Sequence, residues 1–302
     1  MVSIAEWEPD QDFPIGPQGA KPKRIVICPS PAPHPFLIGG HRYLFKEPGG
    51  AKAQQIWSEV IAYELSRTIG VSVPPAFLAI DPVDNAPGVL VEFFHGHVWD
   101  PALRFVHAIE RFQGRGIRVD ERRGSLRDNI RLTRLHQIVD WRSWWARTIA
   151  FDAMIGNTDR HSSNWGFLVD QSAERMALHA MAPPFDNGTS LGFLIRDADL
   201  DRFMERARFA DFIARGRHHF GWLSGSTEDA GHAALCARFI KVFGGAGGVM
   251  RNTIQLADSR IEEIVDWCTR FDFPVAFSQT RAEFVAAQVK VRRDAVAAGI
   301  GA

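Results

Sequence analysis

Cysteine is scarce in this chain of 302 residues: Cys28, Cys236 and Cys268 are all it has. They are odd in number, far apart and in no C-x-x-C spacing, which argues against a disulfide framework and against a cysteine-built zinc site. They read as ordinary thiols of a reducing cytoplasm. Excess charge of one sign is also missing, since Lys plus Arg and Asp plus Glu are 35 each. Without a basic field there is no counterion release to hold a polyanion, so direct nucleic-acid binding is not expected. No apolar run approaches the roughly 20 residues that span a bilayer, so no membrane span is expected. The opening MVSIAEWEPDQDF is acidic, with neither a charged leader nor an apolar core, unlike a secretory signal. A cytoplasmic location is expected.

Apolar residues make up 46% of the chain, enough to bury a large core in one big domain or two lobes. Lys23 to Pro29 (KRIVICP) and Arg42 to Pro48 (RYLFKEP) are short β-type runs bounded by Gly and Pro. The stretch AQQIWSEVIAYELSRTIG spaces Ile56, Val60, Tyr63 and Ile69 as a helix would, with Gly70 as its stop. VPPAFLAID and GVLVEFF follow as two strands around a turn. After His95 the pattern becomes mostly helical. Trp141, Trp144, Trp145, Thr148 and Ile155 share one helical face, and a face so aromatic belongs in a core. Further amphipathic helices are expected near 199–214, 228–243, 252–270 and 280–297. The expected architecture is α+β, with a small β-rich lobe over residues 1–96 and a larger, mainly α-helical lobe over 97–302.

Between apolar segments, FDAMIGNTDRHSSNWGFL (151–168) holds a dense polar island. Asp159 and Asn164 stand in the pattern D-x-x-x-x-N, the spacing of protein-kinase catalytic loops, where the Asp takes the hydroxyl proton and the Asn holds Mg²⁺. Such chemistry relies on positioning and charge neutralisation, with hard oxygen ligands for the metal. A second acidic site should follow on the next loop. After a candidate hairpin, NWGFLVD and RMALHAM, comes PPFDNGTSLG, with Asp186 at a strand end. Upstream, Lys46 ends the strand YLFK and Glu59 lies in the first turns of the next helix, the order in which a Lys pairs with a Glu and reaches nucleotide phosphates. D-x-x-x-x-N alone is weak; the ordered set of Lys46, Glu59, Asp159, Asn164 and Asp186 is far more specific.

IGNTDRHSSNWGFL, PPFDNGTSLG and SEVIAYELSRTIGVSVPP with its upstream FKEP together resemble the HipA-like serine/threonine kinases, the kinase subunits of bacterial toxin–antitoxin systems. The similarity runs in order over most of residues 15–190. It implies a bilobal protein-kinase-like fold, ATP and Mg²⁺ as cofactors, and transfer of the γ-phosphate to a Ser or Thr hydroxyl of a protein. It makes Asp159 the catalytic base or hydroxyl-orienting carboxylate, and Asn164 and Asp186 the Mg²⁺ ligands. Lys46 becomes the contact to the α- and β-phosphates, with Glu59 its partner. IGPQGAKPKRIVI fits the family's phosphate loop, with Gly19, Ala20, Lys21 and Lys23 offering backbone amides or charge to phosphate; a basic turn before a strand is the other reading. VLVEFF would be the inter-lobe hinge, with Glu92 and Phe93 presenting backbone groups to adenine.

Two departures follow from the same resemblance. HipA-type toxins can be silenced by autophosphorylation of a Ser three residues before the loop glycine; Gly16 stands there, so no such switch is expected. The toxins also carry a longer region ahead of that loop, which meets the antitoxin, so an antitoxin-like regulator here is expected to be a separate partner or absent. The catalytic loop also resembles type II phosphatidylinositol 4-kinases, but their Cys-rich acylation segment is missing and no basic amphipathic anchor is evident. A phosphatidylinositol or small-molecule kinase therefore stays as an alternative, and a non-catalytic nucleotide-binding module as a further one.

Five polar residues in or near the island have competing readings. Asp152 falls on the Trp face, where a carboxylate needs partners, and is expected to accept backbone amides of the catalytic loop. Arg160 fits either phosphate binding or a structural ion pair. His161 is expected to pack under the loop rather than act as proton acceptor. Asn157 and Asn187 read as turn residues.

Overall fold

The computed structural model describes residues 1–11, 23–116, 124–172, 177–223 and 230–301, with the side chains of 177–179 outside the description. Two strands of two residues each, β1 (Val2–Ser3) and β2 (Glu8–Pro9), border a six-stranded sheet that the sequence pattern showed only in its centre. That centre is β3 (Lys23–Ile27), β4 (Arg42–Lys46), β5 (Ala76–Asp81) and β6 (Ala86–Glu92), in the order β1-β5-β6-β4-β3-β2. Every pair is antiparallel except β1 with β5. Because strand side chains alternate between faces, Tyr43 and Phe45 of β4 join Val2, Trp7, Val26 and Leu90 in one small core. Leu44 packs against a second core on the other face, and Lys46 follows it there.

Helix α1 (Gln55–Ile69) lies against that second face and stops at Gly70, whose φ of +66° is a left-handed cap conformation that glycine adopts without a Cβ clash. Its Trp57 is 1% exposed, so its indole N–H needs a partner. The nitrogen donates to Val275 O at 2.7 Å, and the ring is edged and tilted against Phe271, Phe273 and Phe277. The core that contains Trp57, Val60, Val89 and Val91 therefore continues into Phe151, Met154, Ile264 and Phe284. One apolar body crosses the boundary between residues 96 and 97.

A second sheet has the order β7-β8-β9, formed by β7 (Leu103–His107), β8 (Gly166–Asp170) and β9 (Ala177–Met181), all antiparallel. The β8–β9 hairpin was legible in sequence and β7 was not. All five β7 residues are half-buried, so no apolar alternation marks it.

The helices are α2 (Ala108–Gln113), α3 (Leu126–Leu135), α4 (Trp141–Ile155), α5 (Leu200–Met204), α6 (Arg206–Ala214), α7 (His232–Val242), α8 (Gly247–Thr253), α9 (Asp258–Thr269) and α10 (Gln279–Ile300). Helices α3 and α4 are separated by a short connection that includes Gln137, whose φ is +56°. The expectation of one aromatic face on α4 is too narrow, because 12 of its 15 residues are buried. Trp144 and Trp145 face Trp165, while Phe151 and Met154 enter the core shared with α1. Helix α4 is thus central, and its end delivers the polar island. The three cysteines are buried and unpaired, and burial pushes the Cys28 thiol up to about 11. Among the described residues, no single helix is long and apolar enough to cross a membrane.

Trp57→Ala removes a large buried ring that joins α1 to the segment before α10, and is expected to cost about 3–5 kcal/mol of stability. Urea unfolding measures it; a loss under about 1 kcal/mol would contradict the anchoring role.

Candidate active site

Helix α4 ends at Gly156, whose φ of +70° places it in the left-handed region. The chain then folds over Asp152, which is fully buried. Its carboxylate takes a two-point contact from Arg160, Nη2 to Oδ1 at 2.8 Å and Nε to Oδ2 at 3.1 Å, and a further bond from Asn157 Nδ2 at 3.1 Å. The expected partners were backbone amides; the actual ones are side chains. Arg160 is 1% exposed and is the structural ion pair rather than a free phosphate contact. Burial alone would lower its pKa, yet Asp152 outweighs that and holds the guanidinium charged.

The remaining Arg160 donors tie two loops together. Nη1 donates to Asn164 O at 3.1 Å and to Phe185 O, and Nη2 donates to Asn187 Oδ1 at 2.7 Å. Asn157 and Asn187 are consequently more than turn residues, for both are buried and fully used. Asn157 Oδ1 accepts the Asp159 N–H at 3.0 Å and the Thr189 hydroxyl at 3.1 Å.

This scaffold leaves Asp159 at the rim, with a side chain 41% exposed. Asn164 Nδ2 donates to the Asp159 carbonyl at 2.7 Å, which leaves the Asn164 side-chain oxygen for a cation. Asp186 follows Phe185 with φ +56°, an unusual conformation for a non-glycine residue. Two oxygen-bearing side chains on loops fastened to one guanidinium are a donor set of the hard type that Mg²⁺ takes.

Asp186 is also joined to the small lobe. Lys46 Nζ lies 2.6 Å from Glu59 Oε1 and 2.9 Å from Asp186 Oδ1, and Asn187 N–H donates to Glu59 Oε2 at 3.1 Å. Burial would lower the Lys46 pKa, but Asp186 and Glu59 together raise it above the usual lysine value. The structure thus brings Lys46, Glu59 and Asp186 into one ionic cluster, and the Arg160 scaffold joins Asp186 to Asn164 and Asp159.

Of the other expected site residues, Lys23, Glu92 and Phe93 are among the described ones. Lys23 opens β3 directly opposite Lys46 across the ladder, so the two share a face of the sheet. Gly16, Gly19, Ala20 and Lys21 lie outside the described residues. In the segment expected to be the hinge, Glu92 N–H donates to Pro75 O, Phe93 N–H donates to Arg42 O, and Phe93 O accepts from His41 Nε2 at 2.6 Å. The two N–H groups are thus engaged, while the Phe93 carbonyl keeps a second lone pair.

His161 Nδ1 accepts the Ser163 N–H at 3.2 Å, so its proton sits on Nε2, 4.0 Å from Asp159 Oδ1. In that tautomer the nitrogen facing the carboxylate is not a base. His219 Nδ1 is equally far from the same oxygen, at 4.0 Å, and sequence reasoning did not single it out.

A second support was not legible at all. His232 Nε2 bonds Asn157 O at 3.0 Å, and its Nδ1 faces Arg292 Nη1 at 3.0 Å. A guanidinium only donates, so Nδ1 accepts and Nε2–H holds the loop carbonyl. Burial pushes His232 well below the usual histidine value and lowers Arg292 to about 10. Gly156 makes room for this arginine, since a Cβ there would stand 2.9 Å from Arg292 Nε. His232 and Arg292 are 60 positions apart on different helices, and only the fold brings them together.

Arg160→Met leaves the Asp152 carboxylate buried without its cation and is expected to cost about 3–5 kcal/mol. Asp152→Asn in the same chain should recover part of that loss, read by urea unfolding. His218, pushed down to about 4, and His232 are both buried in the neutral form. Their depressed values make stability complete above the unfolded pKa of about 6.5 and progressively lost as pH falls below it. His232→Asn should flatten that pH slope between about 6.5 and 5; an unchanged slope would mean that His232 is not held neutral.

The sequence profile of the HipA-like C-terminal domain family matches residues 15–221. No curated protein gives a significant match. Among solved structures, the Helicobacter pylori proinflammatory kinase CtkA superposes with a TM-score of 0.68 at 15% identity, over 99% of this chain and 98% of that one. A chain of the Shewanella oneidensis MR-1 toxin–antitoxin system HipA, HipB and its operator DNA complex gives 0.54 at 15% identity. That match covers 95% of this chain and 65% of the other. At these identities the likeness concerns the fold, which is α+β and kinase-like. The profile match spans Lys46, Glu59, Asp159, Asn164 and Asp186 alike, and the chain belongs to the HipA-like C-terminal domain family.

Proposed function

We propose that this protein is an ATP- and Mg²⁺-dependent kinase that transfers the γ-phosphate to a Ser or Thr hydroxyl of a protein. The observation that carries the reading is the buried contact of Lys46 with both Glu59 and Asp186, at 2.6 and 2.9 Å. A lysine this deeply paired is aimed and permanently charged, as a phosphate contact must be.

Each residue then has a task set by its surroundings. Glu59 fixes the Lys46 ammonium from α1, and Lys46 offers positive charge to phosphate oxygens entering beside it. Asn164 and Asp186 supply oxygen ligands for Mg²⁺. The ion, when bound, neutralises phosphate charge. Asp159, oriented through Asn157 and partly exposed, receives the hydrogen of an incoming hydroxyl and aligns its oxygen. His161 shapes the rim beside it. The likeness in fold to a chain of the HipA–HipB–operator complex supports a separate antitoxin-like protein as a regulatory partner.

Protein incubated with labelled ATP, Mg²⁺ and a generic Ser/Thr substrate, with lipid vesicles and small alcohols as parallel acceptors, tests this. Asp159→Asn is expected to lower phosphate transfer at least about 100-fold, and Lys46→Ala and Asp186→Ala to abolish it. Wild-type turnover in Asp186→Ala would sink the metal assignment. Label appearing only on lipid or small alcohol would replace the protein acceptor with that class.

A further inference from the structure

The end of β4 away from Lys46 carries a second cluster that the phosphoryl-transfer reading does not use. His41 precedes β4, Glu92 ends β6 with Tyr43 as its cross-strand partner, and His97 lies on the segment between β6 and β7. One ligand atom from each of the three lies within 4.8 Å of the other two. They meet where the chain passes from the six-stranded sheet toward the three-stranded one.

The outer contacts of this cluster leave its inner atoms bare. The Phe93 carbonyl takes the Nε2–H of His41 at 2.6 Å, so Nδ1 of that ring keeps the lone pair. Tyr43 OH accepts the Ile38 N–H at 3.0 Å and donates to Glu92 Oε2 at 3.2 Å. Glu92 Oε1 faces His97 Nε2 across 3.9 Å. A metal-binding imidazole usually gives its other N–H to a carbonyl or carboxylate, and a metal-binding carboxylate is itself hydrogen-bonded. Both patterns are present here.

The charge balance points the same way. Glu92 is a largely buried carboxylate whose neighbours are a hydroxyl and two imidazoles. Burial raises its pKa and lowers those of His41 and His97. The nearby guanidinium of Arg42 is paired with Asp10. A cation between the three side chains would neutralise the carboxylate and use neutral imidazoles as they stand.

We propose that His41, Glu92 and His97 form a site for a divalent transition-metal ion of the zinc class, with a further coordination position open to water. Two nitrogens and one carboxylate oxygen are a donor set that Zn²⁺ uses, whereas Mg²⁺ and Ca²⁺ prefer oxygen alone. The rings of His41 and His97 stack at 4.3 Å, 10° apart, with Trp99 stacked at 4.6 Å on His97. Ligation therefore requires His97 to turn out of the stack; it lies outside any helix or strand, and the Trp99 ring that covers its outer side is itself exposed and can follow. A bound ion would fasten the segment from Phe93 to His97 to the ends of the central strands β4 and β6. The site stands whether or not the protein is a kinase.

Chelator-treated full-length protein titrated with Zn²⁺ by calorimetry, and with Co²⁺ followed by visible absorption, tests the assignment. The expected result is one ion per chain, a Co²⁺ spectrum of nitrogen and oxygen ligands, and no displacement by excess Mg²⁺. His97→Ala should weaken Zn²⁺ binding more than about tenfold without moving the metal-free thermal midpoint, and Tyr43→Phe should weaken it about 10- to 100-fold. Wild-type protein that takes up no Zn²⁺, or a His97→Ala variant that binds it as tightly as wild type, overturns the proposal.

Discussion

The Asp152–Arg160 pair is the contact on which the candidate active site hangs. Both side chains are almost fully withdrawn from water, at 0% and 1% exposure, and isolated charges at such depth would be strongly unfavourable. Their compensation comes from geometry. The carboxylate receives three donors, and the guanidinium spends its remaining N–H groups on Asn164 O, Phe185 O and Asn187 Oδ1. A buried pair of this type adds little net stability over apolar packing, but it permits few alternative arrangements of its partners. Here the partners are the two loops that carry Asp159, Asn164 and Asp186.

Lys46 performs a related task from the six-stranded sheet. It touches Glu59 on α1 and Asp186 on the loop after β9, and so sets the sheet, the helix and that loop relative to one another. The two hubs are joined through Asn187, which donates its N–H to Glu59 and accepts from Arg160. Charge on one side of the site is therefore coupled to charge on the other through a single buried amide residue.

Much of this was legible in sequence because it lies in short, ordered motifs. Lys46 at a strand end, Glu59 four residues into α1 and the D-x-x-x-x-N spacing each depend on local chain geometry, which periodicity reveals. The central strands and α1 were legible for the same reason. What escaped depends on contacts between distant segments or on weak patterns. Strand β7 is half-buried throughout and shows no alternation; β1 and β2 are two residues long. Arg160 could not be assigned between phosphate and ion pair, since nothing local shows that Asp152 is beneath it. His232 and Arg292 sit on α7 and α10, and their shared hold on Asn157 exists only once those helices pack.

The anchoring of Trp57 bears on how such a molecule can be controlled. In protein kinases the helix that carries the lysine's glutamate partner is often the moving part, displaced to switch activity off. Here that helix is pinned by an indole sunk among Phe271, Phe273 and Phe277 and bonded to Val275 O. Pulling the ring out would leave fewer than about one molecule in a hundred displaced at equilibrium. The lysine–glutamate contact is thus a fixed part of the frame rather than a part free to swing away.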